Sequence, residues 1–192
     1  EHAWQFERCG VVLQPKQMEF AVWARHCDAS GGPEEIGVGG ARGPGKSFPL
    51  FAQAAPDDCQ RFPGLKVLYL RLTARSATEQ LEDIAGVVLR HVPSARAKRG
   101  RIDFDNGSRI IIGGFSNDRE ALKYLGIEYD VIIIEEATQL AAKTHESIRT
   151  SNRSSKAFSG TVWRPRRYYS TNPLGIGHAF FEHREARARE LA

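Results

Sequence analysis

Residues 40–47 read Gly40-Ala41-Arg42-Gly43-Pro44-Gly45-Lys46-Ser47, which fits the phosphate-loop pattern G-x-x-x-x-G-K-[ST]. Glycines let such a loop curl with its N–H groups turned inward toward phosphate oxygens. Lys46 then reaches the β- and γ-phosphates, Ser47 holds Mg²⁺, and the helix opening near Lys46 adds its positive N-terminal end. The pattern needs a strand before it and a helix after it. Ile36-Gly37-Val38-Gly39 serves as the strand and residues 46–55 as the helix. Pro49 falls in the first turn of that helix, where a missing N–H does no harm.

On either side of this loop the pattern continues. Residues 13–27 read as a helix, and Ser30-Gly31-Gly32-Pro33 breaks it. Pro56-Asp57-Asp58 reads as a turn. Val67-Leu68-Tyr69-Leu70 is a short apolar run between polar residues, the mark of a buried parallel strand. Thr78 to Leu89 reads as a helix, with Leu81, Ile84, Ala85, Val88 and Leu89 on one face. Residues 101–104 and 109–112 read as strands around Asp105-Asn106-Gly107-Ser108, a hairpin signal expected at the sheet edge. Residues 118–125 read as a short helix, 129–134 as a central strand and 137–147 as a helix. A loop over 150–166, a strand over 167–171, a turn over 172–177 and a charged helix over 178–191 complete the chain.

A phosphate cradle hydrolyses nothing without an acidic partner. Val131-Ile132-Ile133-Ile134-Glu135-Glu136 supplies one: an apolar strand ending in two carboxylates, the Walker B arrangement. Glu135 is placed to hold Mg²⁺ through water. Glu136 is placed to polarise an attacking water as general base. The plainer alternative is two acids in the first turn of the next helix, where its dipole favours them. A third element, Ser170-Thr171-Asn172-Pro173, ends another strand, and a polar side chain there can touch the γ-phosphate. The plainer alternative is an ordinary Asn-Pro turn.

Composition sets bounds. The chain has 192 residues, enough for one α/β domain with a core. It is 41% hydrophobic and 26% charged, ordinary for a soluble globular protein. No apolar run approaches a membrane span and no signal peptide is visible. Cys9, Cys27 and Cys59 are scattered and odd in number, which suits a reducing compartment rather than a disulfide framework. The net charge of +4 permits a polyanionic partner. Basic residues cluster over 90–101 (with Arg96, Lys98 and Arg99) and at Arg164-Pro165-Arg166-Arg167. Each cluster is either a solvated face or a phosphate-backbone contact.

Taken together, Gly39-Gly40-Ala41-Arg42-Gly43, Gly45-Lys46-Ser47, Ile134-Glu135-Glu136-Ala137-Thr138 and Ser170-Thr171-Asn172-Pro173 with Gly175 and Gly177-His178 resemble the large terminase subunit of tailed bacteriophages. Pro15-Lys16-Gln17 is similar to that family's adenine-contacting motif. Leu70-Arg71-Leu72-Thr73 and Tyr124-Leu125-Gly126-Ile127-Glu128-Tyr129-Asp130 also match. The resemblance implies an α/β fold of the P-loop NTPase type, a mostly parallel sheet flanked by helices, of the additional-strand, catalytic-glutamate kind. It implies ATP and Mg²⁺ as ligands. Gly40, Ala41, Arg42, Gly43, Pro44, Gly45, Lys46 and Ser47 would bind the triphosphate, Gln17 adenine, and Asn172 would couple nucleotide state to movement. Ser47 and Glu135 would hold the metal, and Glu136, Lys46 and Arg42 would act in catalysis. Arg71 or Arg75 would complete a neighbouring subunit's site.

The resemblance further implies a motor that packages double-stranded DNA into a capsid, working with a portal protein and a small terminase subunit. Copies would form a homo-oligomeric ring, a pentamer, while the isolated chain is a monomer. It would act in the host cytoplasm and transiently at the procapsid portal, with no membrane involved. Residues 1–192 are expected to form one P-loop ATPase domain, without the family's C-terminal nuclease. Two departures stand out. Pro44 removes a potential phosphate donor and stiffens the loop. Glu135 stands where most such strands carry Asp. Two other readings stay open: a helicase-like nucleic-acid translocase, and a nucleotide-binding domain without turnover. The second acid, Glu136, argues against the last.

Overall fold

Val131-Ile132-Ile133-Ile134 presents no polar face, and the chain buries it completely on both sides. This strand is the middle of the fold. The structure, a computed structural model, describes residues 5–41, 43, 45–114, 116–158 and 161–190. In chain order the strands are β1 (Glu35–Val38), β2 (Lys66–Arg71), β3 (Ala95–Lys98), β4 (Arg101–Phe104), β5 (Arg109–Gly114), β6 (Val131–Ile134), β7 (Ala157–Phe158), β8 (Thr161–Val162) and β9 (Arg166–Ser170). The helices are α1 (Gln5–Arg8), α2 (Pro15–His26), α3 (Ser47–Ala52), α4 (Cys59–Arg61), α5 (Ala74–Val88), α6 (Asp118–Ala121), α7 (Ala142–Arg149) and α8 (His178–Glu190).

Seven strands form one sheet in the order β1-β9-β6-β2-β5-β4-β3. The run from β1 to β5 is parallel, and β4 and β3 add antiparallel strands at one side. One strand, β9, thus separates the loop-bearing β1 from the acid-bearing β6, as expected of an additional-strand architecture. Parallel strands place their carboxyl ends on one side, so Val38, Ile134 and Ser170 deliver their following residues to a common rim. Two apolar layers hold the sheet. One face packs Val67, Tyr69, Val131, Ile133 and Tyr168 against Leu50, Phe51, Leu81 and Val88. The other packs Leu68, Leu70, Ile132, Ile134 and Tyr169 against Tyr124, Leu140 and Ile148. Each fully buried Leu, Ile or Val of this kind stabilises the fold by roughly 1.5–3 kcal/mol.

Several sequence expectations give way. Pro56-Asp57-Asp58 is no turn: Gln53–Asp58 is a buried π-helical stretch joining α3 to α4. Pro56 supplies no N–H for a regular helix, and the wider π register accommodates the gap. The helix expected from Thr78 starts at Ala74, because Thr73 caps it by accepting the Ser76 N–H at 3.1 Å. The expected helix over 137–147 is a short 3₁₀ turn, Ala137–Gln139, a break, and then α7. The expected loop over 150–166 carries the β7–β8 hairpin. The Asn106-Gly107 hairpin lies one strand in from the edge, since part of the basic stretch 90–101 forms β3 outside it.

In the second basic cluster Arg164 stays half-buried and donates to the Ala29 carbonyl at 2.7 Å, whereas Arg166 and Arg167 are neither a solvated face nor available to phosphate. Arg166 is 1% exposed, pairs with Asp28 at 2.8 Å, and stacks on Trp163. Arg167 is buried and pairs with Glu35. Buried carboxylates on the π-helical stretch, with Asp28 and Glu35 nearby, draw these guanidiniums inward. In the first cluster, Arg96 pairs with Asp105, and Lys98 and Arg101 with Asp103, all at the surface. The three cysteines are buried and free. Among the described residues, no helix is long and apolar enough to cross a membrane.

Candidate active site

The loop after β1 curls as its glycines require: Gly40, Gly43 and Gly45 have φ of 138°, 92° and 68°, where a Cβ would be strained. Arg42 and Pro44 lie outside the described residues. Lys46 stands at the N-cap of α3 with helical backbone angles. Its ammonium folds back onto the loop, donating to the Gly40 carbonyl at 3.0 Å and the Ala41 carbonyl at 2.5 Å. Desolvation lowers its pKa, against the pull of Glu135 and Glu136 in the same cleft.

Ser47 Oγ donates to Glu135 Oε2 at 2.7 Å, joining the loop to the end of β6. Ser170 Oγ, at the end of β9, donates to the same oxygen at 2.9 Å. Glu135 is 2% exposed, and its other oxygen, Oε1, is buried with no hydrogen-bond partner among the described residues. Burial raises its pKa, while the two hydroxyl donors work to hold it down. The nearby Tyr69 hydroxyl is buried too; burial first, then the Glu135 charge, pushes its pKa well up. A hydroxyl beside a carboxylate with an open oxygen is a hard-donor set of the type Mg²⁺ takes, which normally adds water and phosphate oxygens. The residues present fit that ion, and Ser47 and Glu135 are the two side chains that could hold it. Among the described residues, no cluster of three or more His, Cys, Asp or Glu offers a different metal cage.

Glu136 follows in the left-handed region, φ 50° and ψ 44°. Its N–H donates to Ser170 Oγ at 2.9 Å. Its carboxylate takes Arg71 Nη2 at 2.9 Å on one oxygen and Gln139 Nε2 at 2.7 Å on the other. Arg71, at the end of β2, also donates to Gln80 Oε1 on α5 at 3.1 Å. Asn172 brings to the same place a buried side-chain oxygen that has no partner among the described residues. Its backbone carbonyl accepts from Thr138 Oγ1 at 3.0 Å. Together Lys46, Ser47, Arg71, Glu135, Glu136 and Asn172 line one cleft of about 620 Å³. A larger cleft of about 800 Å³ between β1 and α8 lacks this hydroxyl–carboxylate cluster.

Two expected site residues lie elsewhere. Gln17, on α2, is buried; its Oε1 accepts from the Gln14 N–H and its Nε2 donates to the Gly45 carbonyl at 3.1 Å, so it braces the loop from behind. Arg75 is exposed on α5 and pairs with Glu79. Of the two candidate arginines, then, only Arg71 enters the cleft of its own chain. Gln80, Gln139 and the individual role of Ser170 escape a reading of the sequence. No spacing rule marks the two glutamines, whereas Ser170 stands inside a motif already singled out.

A glycine-cornered phosphate loop after β1, with acids at the end of β6, defines a P-loop NTPase-like fold. Neither a protein-family model nor a curated protein matches the sequence. Among solved structures, the chain is similar to the large terminase of a thermophilic bacteriophage, with a TM-score of 0.71 at 14% identity over 94% of this chain and 44% of that one. It is similar to the HK97 bacteriophage large terminase, with a TM-score of 0.65 at 11% identity over 93% of this chain and 38% of that one. It also resembles the large terminase ATPase domain of Thermus phage P74-26, with a TM-score of 0.55 at 16% identity over 96% of this chain and 89% of that domain. The likeness is one of fold: this chain has the architecture of large-terminase ATPase domains. It spans less than half of the first two proteins.

Proposed function

We propose that this chain is the ATPase engine of a phage DNA-packaging motor. The observation that carries the reading is the single cleft in which Ser47 and Ser170 share Glu135 while Glu136 waits beside Arg71. The fold likeness to large terminases supports it. So does the fact that the thermophilic-phage terminase has been solved with ADP and with ATP-gamma-S. A pure nucleotide binder has no need of Glu136, and the Asn172-Pro173 turn followed by Gly175 and Gly177 favours a terminase over a helicase-like translocase.

In this reading the backbone N–H groups of the loop from Gly40 to Ser47, Pro44 aside, wrap the triphosphate. Lys46 leaves the Gly40 and Ala41 carbonyls to neutralise the β- and γ-phosphates. Ser47 and Glu135 would hold Mg²⁺, which would supply positive charge to offset that of the phosphates. Glu136 takes a proton from the attacking water, so Arg71 must first release its carboxylate. Arg71 then has a second anion to turn to, the γ-phosphate. Asn172, whose side-chain oxygen lies buried at the cleft, reads the presence of that phosphate and passes the difference to the turn beyond it. Double-stranded DNA, the portal protein, the small terminase subunit and other copies of the chain in a ring are the partners this function requires.

The test is phosphate release by the purified chain. Lys46→Ala is expected to lose nucleotide binding and turnover together. Glu136→Gln is expected to keep binding and lose at least about 10²-fold in turnover, the usual scale for a general base. Full activity in either variant refutes the site.

A further inference from the structure

Ser170 makes two hydrogen bonds whose directions are settled by its chemistry. A hydroxyl has one proton to give and lone pairs to receive. The proton goes to Glu135 Oε2, which as a carboxylate can only accept, and a lone pair receives the Glu136 N–H. The residue is 2% exposed, so water cannot substitute for either bond. The two acids are adjacent in sequence but differ in task, and one hydroxyl from a different strand holds both. It holds Glu136 at a backbone angle that a non-glycine residue seldom adopts, φ 50°. That angle is what aims the Glu136 carboxylate at Arg71 and Gln139. Ser170 also stands two residues ahead of Asn172, whose carbonyl is tied to Thr138 on the following 3₁₀ turn.

We propose that Ser170 is the positioning residue of this site: its hydroxyl sets the metal-holding and the water-activating carboxylate in register and joins both to the strand that ends in the nucleotide-sensing turn. The inference rests on the ATPase reading and deepens it. Ser170 acts through Glu135 and Glu136, and touches no phosphate itself.

Ser170→Ala removes both bonds, and Ser170→Thr keeps them. In the alanine variant, phosphate release is expected to fall about 10–100-fold, the range for lost support of a ligand or catalytic group. Affinity for a fluorescent ATP analogue with Mg²⁺ is expected to stay within about threefold, because the loop and Lys46 are untouched. The threonine variant is expected to recover most turnover. Hydrogen exchange at the Glu136 amide, read by NMR, is expected to speed up in the alanine variant and return toward the wild-type rate with threonine. Unchanged turnover and exchange in Ser170→Ala overturn the assignment. So does a parallel loss of affinity and turnover, which marks a merely structural residue. If the wild-type chain releases no phosphate, the ATPase reading fails, and the exchange rate at Glu136 alone decides whether Ser170 clamps the pair.

Discussion

Glu136 occupies a backbone conformation that costs a non-glycine residue about 1–3 kcal/mol and persists only when its surroundings hold it there. Its companions are the Ser170 hydroxyl, Arg71 and Gln139. The doublet Glu135-Glu136 is legible in the sequence as strand-then-acid. The partners are not, because they come from β2, β9 and the turn after β6, and only folding brings those together. The two candidate arginines now separate by position. Arg71 sits within its own cleft, so Arg71→Ala is expected to lower phosphate release at least about tenfold at every protein concentration, as for loss of a charge partner of a catalytic group. Arg75 is exposed, pairs with Glu79 and does not line its own cleft, so a role for it requires a neighbouring copy. Turnover per chain should then rise with concentration, and Arg75→Ala should remove that rise. A flat wild-type profile assigns Arg75 to the surface.

Among the elements, the turn after β9 shows how glycines make a joint. A Cβ on Gly175 would come within 2.3 Å of the Thr138 carbonyl oxygen, and one on Gly177 within 2.3 Å of the Leu140 carbonyl oxygen. The Gly177 N–H donates to the Thr138 carbonyl at 2.8 Å. The turn therefore lies directly on the 3₁₀ turn that follows Glu136, with no side chain between them. Gly177→Ala is expected to destabilise the chain by about 1–3 kcal/mol through overpacking. Gly175→Ala should cost more, since its φ of 118° is also strained for alanine. Urea unfolding, as a shift in midpoint at constant slope, measures both. The Gly-x-Gly pattern is visible in the sequence, but its reason is not, because the atoms it avoids belong to a distant segment of the chain. The same holds for Pro56. By local rules it marks a turn; only the buried carboxylates around it show that the helix runs on in π register.

At the scale of the whole molecule, one set of charges is buried and joins the elements. Asp57 and Asp58 are fully buried and pair with Arg25, Arg61 and Arg166, stitching α2, the α3–α4 run and β9 together. Glu35 joins β1 to β9 through Arg167 and to α8 through Arg184. Burial works to raise the Glu35 pKa, but Arg167 and Arg184 overcome it and hold the carboxyl below its ordinary value. A carboxylate depressed in the folded state stabilises the fold fully above its unfolded pKa, near about 4.3, and that gain is lost as pH falls toward the lower folded value. Resistance of the wild type to thermal unfolding should therefore fall below about pH 5. Glu35→Gln should be less stable near neutrality and show a shallower acid dependence. Equal acid slopes in the two proteins refute the network.

The α/β class, the strand–loop–helix at Gly40–Ser47, the acidic strand and the Asn172 turn all follow from the order of residues alone. Each is written in near neighbours: glycines that permit a curl, an apolar run that demands burial, a proline that restricts the residue before it. Which side chains meet is a matter of tertiary packing. Packing placed Arg71 on Glu136, set Gln17 behind the loop, turned Arg166 and Arg167 into the core, and put Ser170 between the two acids. Parallel strands explain the division. Each strand's character is local, but the rim where strands end is assembled from residues distant in sequence, and the chemistry of the site lies on that rim.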